Sequence, residues 1–314
     1  MNSVLKHIPV MKKESIDALI MQKSGIYVDA TFGFGGHSKA ILDKLNEKGR
    51  LYALDKDFSS VKFADKVVED RRFTLKHGCF SSLESKSKEW GIHGSVNGIL
   101  FDLGVSSNHL DDPDRGFSFN KNGPIDMRFN QKTGISAGEW LSTVSENLLG
   151  KVIKEYGEER YAKKIAKRIV LERKKTKINT TYDLVKIINE TIPKNEKNKN
   201  NATRTFQAIR IHINQELEVL RSALESTYNI LAPKGRLVLI TYHSLEDRVI
   251  KDFLIFSDKS LSSPRDLPLS NKFLTKMFRL ISKSIKPTQK EVQANVRSRS
   301  AKLSVLEKCN EDIN

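Results

Sequence analysis

One segment constrains this chain more than any other: Val28-Asp29-Ala30-Thr31-Phe32-Gly33-Phe34-Gly35-Gly36-His37-Ser38. A short β-rich run, Ile26–Asp29, enters a loop with three glycines. A helical pattern then opens near Ser38 and continues through Ala40, Ile41, Leu42 and Leu45. A strand, a glycine turn and a helix start in that order make a nucleotide-type ligand site. Glycines let the backbone approach the ligand, and the unpaired N–H groups of the helix start attract its negative end. Asp55 stands twenty positions after Gly35, closing a second apolar run, Leu51–Leu54. An acid that grips a ribose hydroxyl pair belongs there.

NAD and S-adenosylmethionine both present an adenosine ribose to such an acid. The spacing Gly33-x-Gly35-Gly36 lacks the third glycine of a dinucleotide fingerprint. Asp29, at the end of the strand, would repel a pyrophosphate but suits the ammonium group of a methionine moiety. Charge therefore favours S-adenosylmethionine, and an NAD-dependent dehydrogenase is the disfavoured reading.

Five β-like runs stand out: Ile26–Asp29, Leu51–Leu54, Phe73–Lys76, Ile99–Leu103 and Arg236–Thr241. The first four are separated by room for one helix each, which predicts an α/β fold with a parallel sheet. Some 130 residues with little strand character separate the fourth run from the fifth. A crossover needs far fewer, so an inserted, mostly helical segment is expected. Within it, Tyr161 to Lys177 places Ala162, Ile165, Ala166, Ile169 and Val170 on one face and Lys163, Lys164, Lys167 and Arg168 on the other. Thr180 or Thr181 is expected to cap a helix through Ile188 that ends before Pro193. Lys194 to Asn201 reads as a polar linker. Thr203 to Leu231 reads as one long helix, stopped by Pro233-Lys234-Gly235. Ser257 to Ser270 reads as a Ser/Pro-rich loop, Lys272 to Ile285 as basic and partly apolar, and Lys302–Leu306 as a last strand at the sheet edge.

Composition narrows the partners. The 314 residues carry a formal charge of +16, the footprint of a protein that binds a polyanion. No apolar run approaches the roughly 20 residues of a membrane-spanning helix, and Met1 to Val10 lacks the apolar core of a signal peptide. Cys79 and Cys309 are the two cysteines, with no disulfide framework and no zinc spacing, so no metal is expected. A reduced, cytoplasmic enzyme is the expectation.

The fourth run ends Phe101-Asp102-Leu103-Gly104-Val105-Ser106-Ser107. Ligands of parallel sheets bind outside the carboxyl ends of the strands, so Asp102 is expected in one crevice with Asp29 and Asp55. Phe80, after the third run, suits either stacking on adenine or core packing. The loops Asp111–Phe119 and Gly123–Arg128 mix acids, arginines and aromatics, as a lid or a solvated connector would. His243, within Thr241-Tyr242-His243-Ser244-Leu245-Glu246-Asp247-Arg248, suits catalysis or the orientation of a loop. Arg297-Ser298-Arg299-Ser300 suits phosphate contact.

Together these segments resemble the bacterial 16S rRNA (cytosine-N4)-methyltransferases that act in the ribosomal decoding centre. The matching stretches are His7–Val10, Asp29–Ser38, Asp102–Ser107, Asp111–Phe119, Gly123–Arg128, Arg204–Ala208, Asn214–Leu217, His243–Arg248 and Arg297–Lys302, in family order. The pair Asp-Leu-Gly-Val-Ser-Ser and His-Ser-Leu-Glu-Asp-Arg is highly specific. The resemblance implies a Rossmann-like class I methyltransferase sheet with an inserted helical domain. Residues 1–107 and 215–314 would bind S-adenosylmethionine, and residues 108–214 would recognise the substrate. It implies cofactor contacts at Gly35, Gly36, His37, Asp55, Phe80 and Asp102. A further contact, usually a glutamine after a proline, falls on His109 after Asn108. The proline usual before Arg-Ser-Arg-Ser is Val296.

The reaction so implied transfers a methyl group to the exocyclic N4 of a cytidine in 16S rRNA of the small ribosomal subunit. Asp102 is the candidate catalytic residue, accepting from the reacting amine. Lys163, Lys167, Arg297 and Arg299 are the candidate rRNA contacts, and a homodimer is possible. The rival reading is a non-catalytic rRNA-binding or subunit-assembly factor on the same fold. The intact glycine turn with Asp55 and Asp102 speaks against it.

Overall fold

Strand-forming runs separated by single helices assemble into one seven-stranded sheet, order β3-β2-β1-β4-β5-β7-β6. The computed structural model describes residues 9–64, 69–193, 200–258 and 276–310. In chain order the elements are α1 (Lys12–Leu19), β1 (Ile26–Asp29), α2 (Gly36–Lys44), β2 (Arg50–Asp55), α3 (Phe58–Ala64), β3 (Phe73–His77), α4 (Leu83–Glu89), β4 (Val96–Asp102), α5 (Ser107–Asp111), α6 (Ala137–Thr143), α7 (Glu146–Gly157), α8 (Ala162–Glu172), α9 (Thr181–Thr191), α10 (Ala202–Asn214), α11 (Glu216–Ile230), β5 (Leu231–Thr241), α12 (Ser244–Phe256), β6 (Phe278–Ile285), α13 (Gln289–Ala294) and β7 (Lys302–Lys308). The chain divides into two compact units, Met1–Gly104 with Leu217–Asn314, and Val105–Glu216.

The first unit is α/β and Rossmann-like. Its strands β3, β2, β1, β4 and β5 are parallel, while β7 runs antiparallel to β5 and to β6. Ile99, Leu100 and Phe101 on β4 and Leu237 to Ile240 on β5 are fully buried. Such near-continuous apolar runs are what strands covered on both faces require. Burying each large side chain of this kind is worth about 1.5–3 kcal/mol. The core on one face joins α1 and α2 to the sheet through Ile16, Leu19, Tyr27, Ile41, Leu42, Leu100 and Val238. Because β1 lies between β2 and β4, the strand order reverses there. A crevice opens at the carboxyl ends of strands at such a switch point.

The second unit is helical among its described residues. Its core holds Phe117, Ile125, Met127, Trp140, Leu149, Ile153, Ile165, Ile169, Leu184, Ile188, Phe206 and Ile209. The i, i+3, i+4 pattern read in α8 is real: Ile165, Ala166 and Ile169 are buried. Thr180 is the cap of α9, its hydroxyl accepting from the Asp183 N–H. The Asp111–Arg128 stretch is not a free, solvated connector. Arg115, Phe117, Ile125 and Met127 are buried in this unit, and the Arg115 guanidinium donates to the carbonyls of Arg128 and Phe129 at 2.9 and 3.0 Å.

Two expectations are corrected. The long helix from Thr203 to Leu231 is two helices, broken at Gln215 in a left-handed conformation (φ 53°). The Asn214 side chain accounts for the stop. Its Nδ2 donates to the Met127 carbonyl at 2.7 Å and its Oδ1 accepts from the Phe129 N–H at 2.8 Å. Strand β7 is not at the edge; it pairs with β5 on one side and β6 on the other. The segment ending at Ile285 contains that edge strand, β6. The Lys/Asn-rich linker over residues 194–199, the Ser/Pro-rich loop from residue 259 onward, and His7 and Ile8 lie outside the described residues.

Candidate active site

The glycine loop turns through backbone that L side chains rarely adopt: Gly33 has φ 56° and Gly35 φ 74°. Gly35 is the N-cap of α2 and supplies no side-chain cap. The first N–H groups of that nine-residue helix are therefore left for a negatively charged group. A Cβ at Gly36 would stand 2.4 Å from Pro9 Cγ, so Pro9 closes one side of the turn.

Asp29 is fully buried. Its carboxylate accepts from Ser38 Oγ at 2.7 Å and from the Thr31 N–H at 3.1 Å. Burial pushes its carboxyl above the usual range, against the pull of the Ser38 hydroxyl. The acid read as suited to a ligand's ammonium instead fastens the end of β1 to the start of α2.

Asp55, at the end of β2, accepts from the Gly33 N–H at 2.6 Å and from the Asp57 N–H at 2.7 Å, one on each oxygen. It thus holds the glycine loop from below. An ionised carboxylate has about four lone-pair sites, so both oxygens keep room for ribose hydroxyls. Burial, the largest influence, pushes its pKa up to about 7.

Asp102 closes β4, and its N–H donates to Thr31 Oγ1 at 2.7 Å. Oδ1 accepts from the Tyr242 hydroxyl at 2.8 Å. Oδ2 lies 3.5 Å from Nε2 of the buried His37, and the carboxylate keeps 22% of its surface exposed. That His37 nitrogen has no hydrogen-bond partner among the described residues, while Nδ1 lies 3.4 Å from Ser15 Oγ.

The structure places Gly35, Gly36, His37, Asp55, Phe80 and Asp102 at the carboxyl ends of β1 to β4. Phe80 is half-buried and meets Phe101 edge-to-face at 5.6 Å. Arg297 and Arg299 are exposed in a short 3-10 turn anchored by the buried Ser298. That turn enters β7, whose Lys302 pairs with Thr241 at the carboxyl end of β5. The arginines therefore stand at the same edge of the sheet as the acids. Lys163 and Lys167 are exposed on α8 of the other unit.

His109 also belongs to that other unit. It is buried, its Nδ1 accepts from the Ser106 N–H at 3.2 Å, and its ring stacks on Phe117 at 4.9 Å. His243 caps α12, with the Glu246 N–H donating to its Nδ1 at 3.4 Å. Glu246 in turn accepts from the Tyr242 and His243 N–H groups. Asp247 accepts from Thr241 Oγ1 at 2.7 Å and pairs with Lys302. The acids of this segment thus fasten α12 to the end of β5. Thr31 and Tyr242 are site residues that sequence reasoning passed over, although both lie inside the segments it singled out.

The residues present fit S-adenosylmethionine. An uncapped helix start offers donors for the methionine carboxylate, and the acid at the end of β2 keeps lone pairs for the ribose. The half-exposed Phe80 ring offers a flat apolar face, and the unpartnered His37 Nε2 is a polar group for the amino-acid end.

A sheet of this order with a glycine turn and three acids at its switch point has the class I methyltransferase fold. The chain belongs to the MraW methylase family, which it matches over residues 4–309. It is 47% identical over 305 residues to the ribosomal RNA small subunit methyltransferase H of Alteromonas mediterranea, covering 96% of this chain and 97% of that one. It is 48% identical to the protein of the same name from Buchnera aphidicola subsp. Schizaphis graminum, covering 98% and 99%. For the Legionella pneumophila (strain Corby) protein of that name the figures are 46%, 96% and 99%. Among the described residues, no helix is long and apolar enough to cross a membrane.

Proposed function

We propose that this protein transfers a methyl group from S-adenosylmethionine to the exocyclic N4 of a cytidine in 16S rRNA, in the decoding centre of the small ribosomal subunit. The observation that carries this reading is the near full-length identity, 47–48%, to proteins named ribosomal RNA small subunit methyltransferase H. The charge of +16 agrees with an RNA substrate. The choice of N4 rests on the sequence resemblance and on the chemistry of Asp102.

S-adenosylmethionine supplies a sulfonium methyl group as electrophile. Cytosine N4 is a weak nucleophile because its lone pair is delocalised into the ring. The site must draw that lone pair out of conjugation and align it; alignment of this kind is worth up to about 7–11 kcal/mol. In this reading Asp102 accepts a hydrogen bond from the N4 amine and offsets its developing positive charge. Gly35, Gly36, His37, Asp55 and Phe80 hold the donor, and His109 is assigned as a further contact to it. The first unit is the methyltransferase domain. The second recognises rRNA, with Lys163 and Lys167 on phosphates, as Arg297 and Arg299 are in the first. The base must leave its stack, at a cost of about a few kcal/mol.

Deleting the gene and analysing rRNA nucleosides by mass spectrometry tests the reading. Loss of an N4-methylcytidine derivative at one site, restored by this chain, is the expected outcome. An unchanged nucleoside profile overturns it.

A further inference from the structure

Tyr242 is the first residue after β5, the neighbour of β4 on the side away from β1. Three separate attachments fix it. Its N–H donates to Glu246 Oε2 at 2.7 Å. Its ring lies over Gly104, where a Cβ would come within 3.2 Å of Tyr242 Cδ2; Gly104 has φ +96°, so the chain leaving β4 makes room for the ring. Its hydroxyl donates to Asp102 Oδ1 at 2.8 Å.

The other restraints on Asp102 act elsewhere. Thr31 Oγ1 accepts from its backbone N–H, which places the strand end and leaves the carboxylate free to rotate. His37 Nε2 stands 3.5 Å from Oδ2, without a hydrogen bond. Among the described residues, Tyr242 therefore makes the one hydrogen bond that sets the carboxylate's rotation. Burial and the neighbouring Asp102 hold the Tyr242 phenol well above its ordinary range, so it stays a donor at any working pH.

We infer that Tyr242 is a positioning residue for methyl transfer: its hydroxyl holds Oδ1 of Asp102 and so aims Oδ2 at the reacting amine. This rests on the proposed function, in which Asp102 serves the acceptor. It adds that the hydroxyl after β5 sets the angle at which that acid works. Tyr242 touches neither substrate nor donor in this scheme and acts through Asp102 alone.

Tyr242→Phe keeps the ring on Gly104 and the backbone bond to Glu246, and removes only the hydroxyl. Methyl transfer to small ribosomal subunits is measured with labelled S-adenosylmethionine for the full chain, Tyr242→Phe, Asp102→Ala and the double variant. Donor affinity is measured by calorimetry and folding by thermal denaturation. Misplacing a reacting group by about 1 Å can cost about 100-fold. The expectation for Tyr242→Phe is a kcat lowered about 10–100-fold, with a donor Kd within about threefold and an unaltered melting curve. In the Asp102→Ala background the same change should cost nothing further, because the group it positions is gone.

An unchanged kcat in Tyr242→Phe overturns the inference. So does an equal loss with and without Asp102, or a loss confined to donor Kd or to stability. If the full chain itself transfers no methyl group, the proposed function falls and this inference with it. An active full chain with an equally active Tyr242→Phe sinks only the inference.

Discussion

At the rim of the sheet, polar side chains and backbone N–H groups hold one another: the Ser38 hydroxyl and the Gly33 N–H donate to Asp29 and Asp55, the Tyr242 hydroxyl donates to Asp102, and Thr31 Oγ1 accepts from the Asp102 N–H. On the outer face of α8 the arrangement is the reverse. Lys163 and Lys167 are exposed and make no ion pair among the described residues, and Arg168 reaches Glu172 and Glu190 while staying 45% exposed. The first region works by geometry, where each atom has one place to be. In the proposed function the second works by charge, which acts across solvent and tolerates motion. A single substitution should therefore cost much at the rim and little on the helix.

The largest effect should come from Asp102→Ala. The variant removes the acceptor proposed for the reacting amine and leaves the buried strand Val96–Phe101 untouched. Losing one preorganised electrostatic contact of this kind typically costs about 10²–10³-fold in kcat. Transfer from labelled donor should fall by that much while subunit binding persists. Retention of full activity would show that the rim acid is not the working group, and would erase the contrast with α8.

Asp55 sharpens the comparison through pH. Its carboxyl sits at about 7 because burial penalises the charge more than the Gly33 and Asp57 N–H groups relieve it. A carboxyl raised on folding favours the fold while protonated, and that contribution is lost as pH rises through about 7. Ribose hydroxyls donate best to the ionised form, so donor binding should release a proton in the window between the ordinary carboxylate range and about 7. The expected result is a donor Kd about tenfold weaker at pH 6 than at pH 8, with this group shifting the melting point of the ligand-free protein in the opposite direction. A Kd flat across that range would mean that Asp55 serves the loop alone.

The rim was legible in the sequence because its residues end strands. Apolar runs that stop at Asp29, Asp55 and Asp102 mark the carboxyl ends of parallel strands, and the glycines after the first mark the turn. What escaped was whatever carried no apolar signal or depended on a distant partner. Strand β6 reads Phe-Arg-Leu-Ile-Ser-Lys-Ser-Ile and is mostly exposed, as an edge strand protected by polar residues is; its company moves β7 inward. The break at Gln215 has neither glycine nor proline to announce it, since it follows from Asn214 reaching Met127 and Phe129 far back in the chain. Tyr242 stood in view inside a recognised segment. Its role became visible only when pairing of β4 with β5 brought it beside Asp102. Asp29 was legible as an acid but not as a buried one, because a strand-end position does not say which way the side chain turns.

The smallest effect is expected on α8, and it is the one that tests the charge half of the comparison. Lys163 and Lys167 lie one turn apart on the face opposite Ile165, Ala166 and Ile169. Replacing both by alanine removes no buried surface and no ion pair among the described residues, so the fold should hold. If both contact phosphates, each contributes about 0.7–0.9 to the slope of log K against log salt. The double variant should therefore bind small subunits about tenfold more weakly at low salt, with a slope shallower by about 1.5. Its kcat at saturating subunit should stay near that of the full chain, because nothing at the rim has moved. A kcat loss comparable to that of Asp102→Ala, with an unchanged salt slope, would mean that these lysines act by position rather than by charge, and the division between the two regions would fail.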